Sequence, residues 1–158
     1  MSNVLLETIF GQKLKKQYSL EEAFDLFNSM DLIAHGELAE KAISKKSGVQ
    51  QCAKNQPGMD LVSGVQIKSA ATNYETQAYS GSLRAYITIK SHTETILAVV
   101  TETLTRKQYF FCFPYSAYSH YNANTFVVPF GLDGTPRRSN DRWRYEVKSW
   151  HELCELAK

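Results

Sequence analysis

A chain of 158 residues with 43% hydrophobic and 22% charged side chains is long enough to bury one sizeable core without staples, and its composition is that of a single folded domain. No stretch approaches the roughly 18 uncharged apolar residues of a membrane helix. The opening MSNVLLETIFGQKLKK also lacks the charged-then-apolar order and cleavage site of a secretory signal, so a cytoplasmic protein without membrane contact is expected. A formal charge of +2 is too small to mark a nucleic-acid binder by itself, which shifts attention to how the charge is distributed.

In chain order, 1–35 reads as an N-terminal helical region. Ser19 followed by Glu22 is a capping-box start, and Leu20, Ala23, Phe24 and Phe27 recur at helical spacing to about Met30. A second helix starts near Asp31 or Gly36. It carries Leu38, Ala39, Ala42 and Ile43 on one side, Lys45 and Lys46 in its last turn, and Gly48 as C-terminal cap. From Val49 onward the signals are turns and β-branched or aromatic runs. Strands are predicted at 59–62, 65–70, 83–90, 96–102 and 109–113, with Thr103 to Lys107 as a hairpin connection. The segments 126–130 and 142–148 are read as further strands, and 149–157 as a closing helix. This is an α/β (α+β) fold, a central mixed sheet flanked by helices. With no repeat or linker, the division is a core at 36–113 and a C-terminal region at 114–158 within one domain.

The segment GMDLVSGVQIKSA, from Gly58 to Ala70, carries the chemistry. A two-residue turn at Ser63-Gly64 would leave Gln66 and Lys68 on the face opposite Asp60, because side chains alternate with period two. A three-residue connection, with Gly64 in the left-handed conformation of a bulge, instead puts Asp60, Gln66 and Lys68 on one face and Leu61, Val65 and Ile67 in the core. The Asp carboxylate and Gln amide oxygen are hard ligands suited to Mg²⁺, with Mn²⁺ as substitute. Lys68 is placed to orient or deprotonate water and to offset charge building on a phosphate.

The pattern D-x(5)-Q-x-K followed by a small residue resembles the core of the PD-(D/E)xK, or restriction-endonuclease-like, nuclease superfamily. Met59-Asp60 stands for its Pro-Asp pair and Gln66 for its second acid. The wording VQIKSA and the small size are similar to group I intron homing endonucleases and the smallest Type II restriction enzymes. The resemblance implies a restriction-endonuclease-like fold and Mg²⁺-dependent hydrolysis of double-stranded DNA at a defined sequence. It further implies Asp60 as principal metal ligand, Gln66 and the Ile67 carbonyl as supporting ligands, and a helix glutamate in a GxxxE pattern. Glu40 fits that pattern and Glu37 is its rival three residues away. The alternative for Glu40 is an ordinary i,i+4 surface pair.

Cutting both strands with one site per chain implies a homo-oligomer, dimer or tetramer, for which the aromatic-rich 115–121 segment is a candidate interface. Arg137, Arg138, Arg142 and Arg144 fall within eight positions against one acid, Asp141. With Arg84 and Lys90 they are the candidate DNA contacts. His35, His92, His120 and His151 show no metal spacing. The three cysteines, Cys52, Cys112 and Cys154, suggest neither a disulfide framework nor a zinc pair, and Cys112 reads as a buried inert thiol. Two alternatives are a structure-specific repair or recombination nuclease and a non-catalytic DNA-binding module that has kept the fold.

Overall fold

The computed structural model describes residues 36–52, 59–89, 94–120 and 125–158, together with four short strands before residue 20. Of these strands, β1 (Asn3–Leu5) pairs antiparallel with β4 (Gln17–Ser19), and β2 (Thr8–Ile9) with β3 (Gln12–Lys13). Ser19, expected to cap a helix, is instead extended and in register with Asn3. The rest of that expected helix, to Met30, lies outside the described residues.

Helix α1 (Gly36–Ser47) forms where the apolar spacing placed it. Ala39, Ala42 and Ile43 are buried, and Lys45 and Lys46 sit in the last turn, where cations complement the helix dipole. Gly48 ends the helix at φ +77°, its N–H donating to the Ser44 carbonyl at 2.9 Å, the left-handed cap a glycine provides without strain.

The central sheet consists of β5 (Val65–Ala71), β7 (Thr95–Glu102), β8 (Lys107–Pro114) and β10 (Glu146–Val147), in the order β10-β8-β7-β5. β7 runs parallel to β5 and antiparallel to β8, so the sheet is mixed. β7 is buried from Ile96 to Glu102. That fits its near-continuous apolar sequence, because a strand covered on both faces does not alternate. The expected 103–107 connection joins β7 to β8, with Glu102 and Lys107 in register.

Between β5 and β7 the chain makes a short helix α2 (Tyr74–Gln77), a 3₁₀ turn at Ala78–Ser80 and strand β6 (Leu83–Thr88). β6 leaves the sheet and pairs antiparallel with β9 (Thr125–Phe130), forming a separate two-stranded ribbon. Ribbon residues Leu83, Ala85, Ile87, Phe126, Val128 and Phe130 pack with Ile96, Ala98, Val100, Phe111 and Phe113 of the sheet. Phe113 and Phe126 stack across this interface at 4.2 Å between centroids. Burying each such side chain contributes about 1.5–3 kcal/mol.

On the other face, α1 and the closing helix α4 (Trp150–Leu156) pack Ala39, Ala42, Ile43, Leu153 and Cys154 on Val65, Ile67, Leu97 and Val99. The result is three layers: two helices, a mixed sheet and a ribbon. No helix among the described residues is long and apolar enough to cross a membrane.

One other sequence expectation is corrected. The strand expected at 142–148 is a 3₁₀ helix over Asp141–Tyr145 followed by the two residues of β10. Asn140 caps it by accepting from the Arg142 N–H at 3.0 Å, and Trp143 turns inward to donate to the Pro129 carbonyl at 3.2 Å. The aromatic segment at 115–121 begins as helix α3 (Tyr115–His120), which buries Ala117 and Tyr118 in the core, so those two side chains are not available for an interface. Residue 121 lies outside the described residues.

The sheet end remote from the β5 start is closed around Glu102, whose side chain is fully buried. Its carboxylate accepts from the Thr72 hydroxyl at 3.1 Å, the Leu104 and Thr105 amides at 3.0 and 2.7 Å, and the Thr105 hydroxyl at 2.5 Å. Gly134, at φ +82°, leaves no room beside it, since a Cβ there would collide with Glu102 Oε2 and Thr105 Cγ2. Gly48 also has positive φ, but a Cβ there meets nothing within 4 Å. Both Gly48→Ala and Gly134→Ala carry the left-handed backbone cost of about 1–2 kcal/mol. In urea melts Gly134→Ala is expected to lose clearly more than Gly48→Ala. Equal losses would mean that the Glu102 nest yields freely.

Candidate functional site

The residues before β5 form a turn rather than the strand expected at 59–62. Gly64 donates to the Leu61 carbonyl at 2.9 Å, with φ +95°, while the Asp60 and Leu61 amides both donate to the Val65 carbonyl at 2.8 and 3.3 Å. Leu61 bridges Gln51 antiparallel, and the Asp60 carbonyl accepts from the Cys52 amide at 2.8 Å. The segment is thus held by residues 50–52 on one side and by β5 on the other. Ser63 ties it to the C-terminal helix, donating to the Ala157 carbonyl at 2.5 Å. The left-handed glycine expected at position 64 is present, and it closes a four-residue turn, Leu61 to Gly64.

This turn delivers the Asp60 carboxylate to β5, where Oδ2 accepts from the Ile67 amide at 2.6 Å. β5 is the edge strand of its sheet, with β7 on its other side. The Ile67 N–H therefore points to the open edge. Because N–H and C=O of a strand residue project to the same side, the Ile67 carbonyl faces that edge beside Asp60. Gln66 and Lys68 alternate with Ile67 and lie in register with Ile96 and Ala98, on the ribbon-facing side of the sheet, while Val65 and Ile67 go to the helical side.

Gln66 is 8% exposed, and its Oε1 is buried without a hydrogen-bond partner among the described residues. A buried acceptor left unpaired costs about 1–3 kcal/mol, so a cost of this kind in the core calls for an explanation. A hard cation is one, because amide and carboxylate oxygens are its ordinary ligands. Lys68 is half-buried two residues further along the same face. The donor chemistry therefore fits Mg²⁺ or Mn²⁺, with Asp60, Gln66 and the Ile67 carbonyl as the available oxygens. Among the described residues no group of three or more His, Cys, Asp or Glu side chains gathers at one point.

Glu40 is half-buried on α1 beside Ala39, in the layer that packs on the opposite face of β5 from Gln66 and Lys68. The side chain of its rival, Glu37, lies outside the described residues. The structure therefore brings Asp60, Gln66, Ile67 and Lys68 to the start of one strand and leaves Glu40 in the neighbouring layer.

The candidate DNA contacts divide similarly. Arg84, Arg137 and Arg142 line one groove of about 350 Å³ with Ser82, Tyr86, Val127, Pro129 and Asn140. Arg138 is engaged elsewhere, in an ion pair with Glu146 and over the Trp143 ring at 4.9 Å. Its hydrogen bond to Glu146 raises the guanidinium pKa further. Arg144 donates to the Tyr145 hydroxyl at 2.6 Å. Lys90 lies outside the described residues. Burial raises the Cys112 thiol and pushes Cys154 up to about 12, so neither is a nucleophile near neutral pH.

Sequence reasoning missed Glu102 and Gln77. Glu102 was signalled only by an acid ending an apolar run amid threonines. Gln77, in a polar stretch, holds the backbone of Arg84 from both sides, accepting from its N–H and donating to its carbonyl, each at 2.9 Å. No protein-family model matches the chain, and no curated protein sequence matches it.

The unpaired Gln66 oxygen has a measurable consequence. In metal-free buffer Gln66→Met, which keeps the volume and removes the acceptor, is expected to be neutral or stabilising in urea denaturation. A loss above about 1 kcal/mol, the net worth of an ordinary satisfied hydrogen bond, would show that the oxygen already has a partner.

Proposed function

We propose that this chain is a Mg²⁺-dependent, site-specific endonuclease of double-stranded DNA with the PD-(D/E)xK arrangement, cytoplasmic and working as a homo-oligomer. The single observation that carries the reading is the buried, unpartnered Gln66 oxygen on the same strand start whose Ile67 amide fixes the Asp60 carboxylate, with Lys68 two residues further on. Asp60, Gln66 and the Ile67 carbonyl would hold the ion, and Glu40 of the neighbouring helix is the proposed further metal-linked carboxylate. When bound, the ion supplies Lewis-acid charge at the phosphate and lowers the pKa of water.

The chain's own residues do the rest. The Asp60 carboxylate brings the negative charge and, pinned by the Ile67 amide, needs little reorganisation to act as a ligand. The Lys68 ammonium orients a water and offsets negative charge as it grows on the phosphate oxygens. Half-burial of Lys68 strengthens both effects, because charge interactions gain weight away from bulk water. Arg84, Arg137 and Arg142 hold the duplex by its charge. Each chain contributes one such centre, so breaking two strands calls for two copies.

A second reading has its own support. Asp60 is the carboxylate bonded to the start of β5, with Gln66 where a second acid would add charge. A DNA-binding module without catalysis would look the same.

The deciding experiment incubates a randomised duplex DNA library with Mg²⁺ at low salt and sequences the new ends, using wild type, Asp60→Ala and Lys68→Ala. Wild type is expected to yield ends at a defined motif. Both variants are expected to be slower by about 10²-fold or more, the scale of losing a positioned catalytic group, while keeping the wild-type far-UV spectrum. Binding without cutting would establish the second reading, and cutting that survives both substitutions would overturn the proposed centre.

A further inference from the structure

The outward face of the β6–β9 ribbon exposes Arg84, Tyr86 and Thr88 among the described residues. Side chains alternate strictly along β6, with Leu83, Ala85 and Ile87 inward and Arg84, Tyr86 and Thr88 outward. In β9, Phe126, Val128 and Phe130 are buried, and Thr125, Val127 and Pro129 face out. The outward pairs are Arg84 with Pro129, Tyr86 with Val127 and Thr88 with Thr125. Neither strand carries an acid. At one end Arg84, Arg137 and Arg142 line a groove with Tyr86, Val127 and Asn140, and no acidic residue is among its lining in the described residues. A surface shaped only for solubility would intersperse acids among these arginines.

We propose that this face reads base edges in the major groove of B-form DNA, with Arg84 as the guanine-reading side chain and Arg137 and Arg142 directed to phosphates. The inference rests on duplex DNA being the substrate, as proposed above. It supplies what the Asp60 centre lacks, a determinant of sequence.

Three observations beyond charge select this occupant. A major groove about 12 Å wide admits a two-stranded ribbon. Outward side chains on one strand recur every two residues, about 6.8 Å at 3.4 Å per residue. That equals two base steps at about 3.4 Å each, so Arg84, Tyr86 and Thr88 can address alternate base pairs. Finally, Arg84 is presented from a fixed backbone, because the Gln77 amide grips both its N–H and its carbonyl. The backbone that carries Arg84 is thus already ordered, and its planar guanidinium fork matches guanine O6 and N7. Arg137 is steadied by its hydrogen bond to the Gly81 carbonyl at 2.9 Å, at the margin of the ribbon where a phosphate backbone would pass. The deep, narrow major groove of A-form RNA excludes such a ribbon.

The test separates binding from cutting. Duplexes from a randomised library are selected by the full chain in EDTA, where no cleavage occurs, and the motif is compared for wild type, Arg84→Ala, Arg84→Gln and Arg137→Ala. Arg84→Ala is expected to abolish preference at one guanine, worth roughly tenfold or more in affinity. Arg84→Gln is expected to move that preference toward adenine, since Gln pairs with adenine N6 and N7, a change that a merely structural role would not produce. Arg137→Ala is expected to weaken all sequences together and to lower the salt slope by about one.

An unchanged motif in both Arg84 variants would overturn the proposal, as would equal competition by double-stranded RNA. Cutting at a motif that ignores Arg84 sinks this inference and leaves the nuclease standing. An Arg84-dependent motif without any cutting sinks the nuclease and leaves the ribbon as reader.

Discussion

The arrangement of the candidate site depends on one hydrogen bond, from the Ile67 amide to Asp60 Oδ2. An edge strand presents unpaired amides to solvent, and a carboxylate that accepts one gains a charge-assisted bond of roughly twice the ordinary strength. The bond blunts the edge of β5 at its start and fixes the carboxylate beside the Ile67 carbonyl. The turn that makes it reachable is itself clamped three ways: by Gly64 in the left-handed region, by the bridge from Gln51 to Leu61, and by Ser63 on the C-terminal helix. Losing that helix contact would loosen the site without touching any of its ligands.

Around this point the fold divides its tasks by layer. β5 sends Val65 and Ile67 into the helical layer and Gln66 and Lys68 toward the ribbon, so one strand serves as apolar core on one face and carries the polar candidate residues on the other. The helical layer holds the turn, and the sheet provides a rigid floor. The ribbon buries Phe126, Val128 and Phe130 inward while offering a basic outer surface. At the far end the Glu102 nest joins Thr72 after β5 to the turn after β7. The two parallel strands are thereby locked in register over their full length.

Much of this was legible in the sequence because it rests on local rules. The period of Ala39, Ala42 and Ile43, the glycines at 48 and 64, and the joining of Glu102 to Lys107 each follow from spacing or turn chemistry. So does the segregation of Gln66 and Lys68 from Val65 and Ile67, whereas Asp60 reaches β5 at its edge from a turn and not from the paired strand the spacing suggested. What was not legible depends on non-local pairing. Nothing within 83–90 says that its partner is Thr125–Phe130 rather than the neighbouring strand, and nothing in VQIKSA says that β7 runs parallel to it. The four clustered arginines look alike in sequence, yet Arg138 and Arg144 turn to Glu146 and Tyr145 while Arg137 and Arg142 share a groove with Arg84. The strand expected at 142–148 failed because Asn140 caps a helical turn and Trp143 finds a hydrogen bond inward, choices made by tertiary packing.

The most direct test of the central claim, that the β5 start is a cation site built on Asp60, is Mn²⁺ binding followed by the loss of the free-ion paramagnetic resonance signal. Asp60→Asn keeps an oxygen for the Ile67 amide and removes the charge, so the turn should persist while the site weakens. Saturable binding by wild type at one ion per chain, weakened about tenfold or more in Asp60→Asn, a loss of at least 1.4 kcal/mol, is the result this account requires. Equal Mn²⁺ affinity in the two proteins, or no binding by wild type at millimolar Mn²⁺, would contradict it.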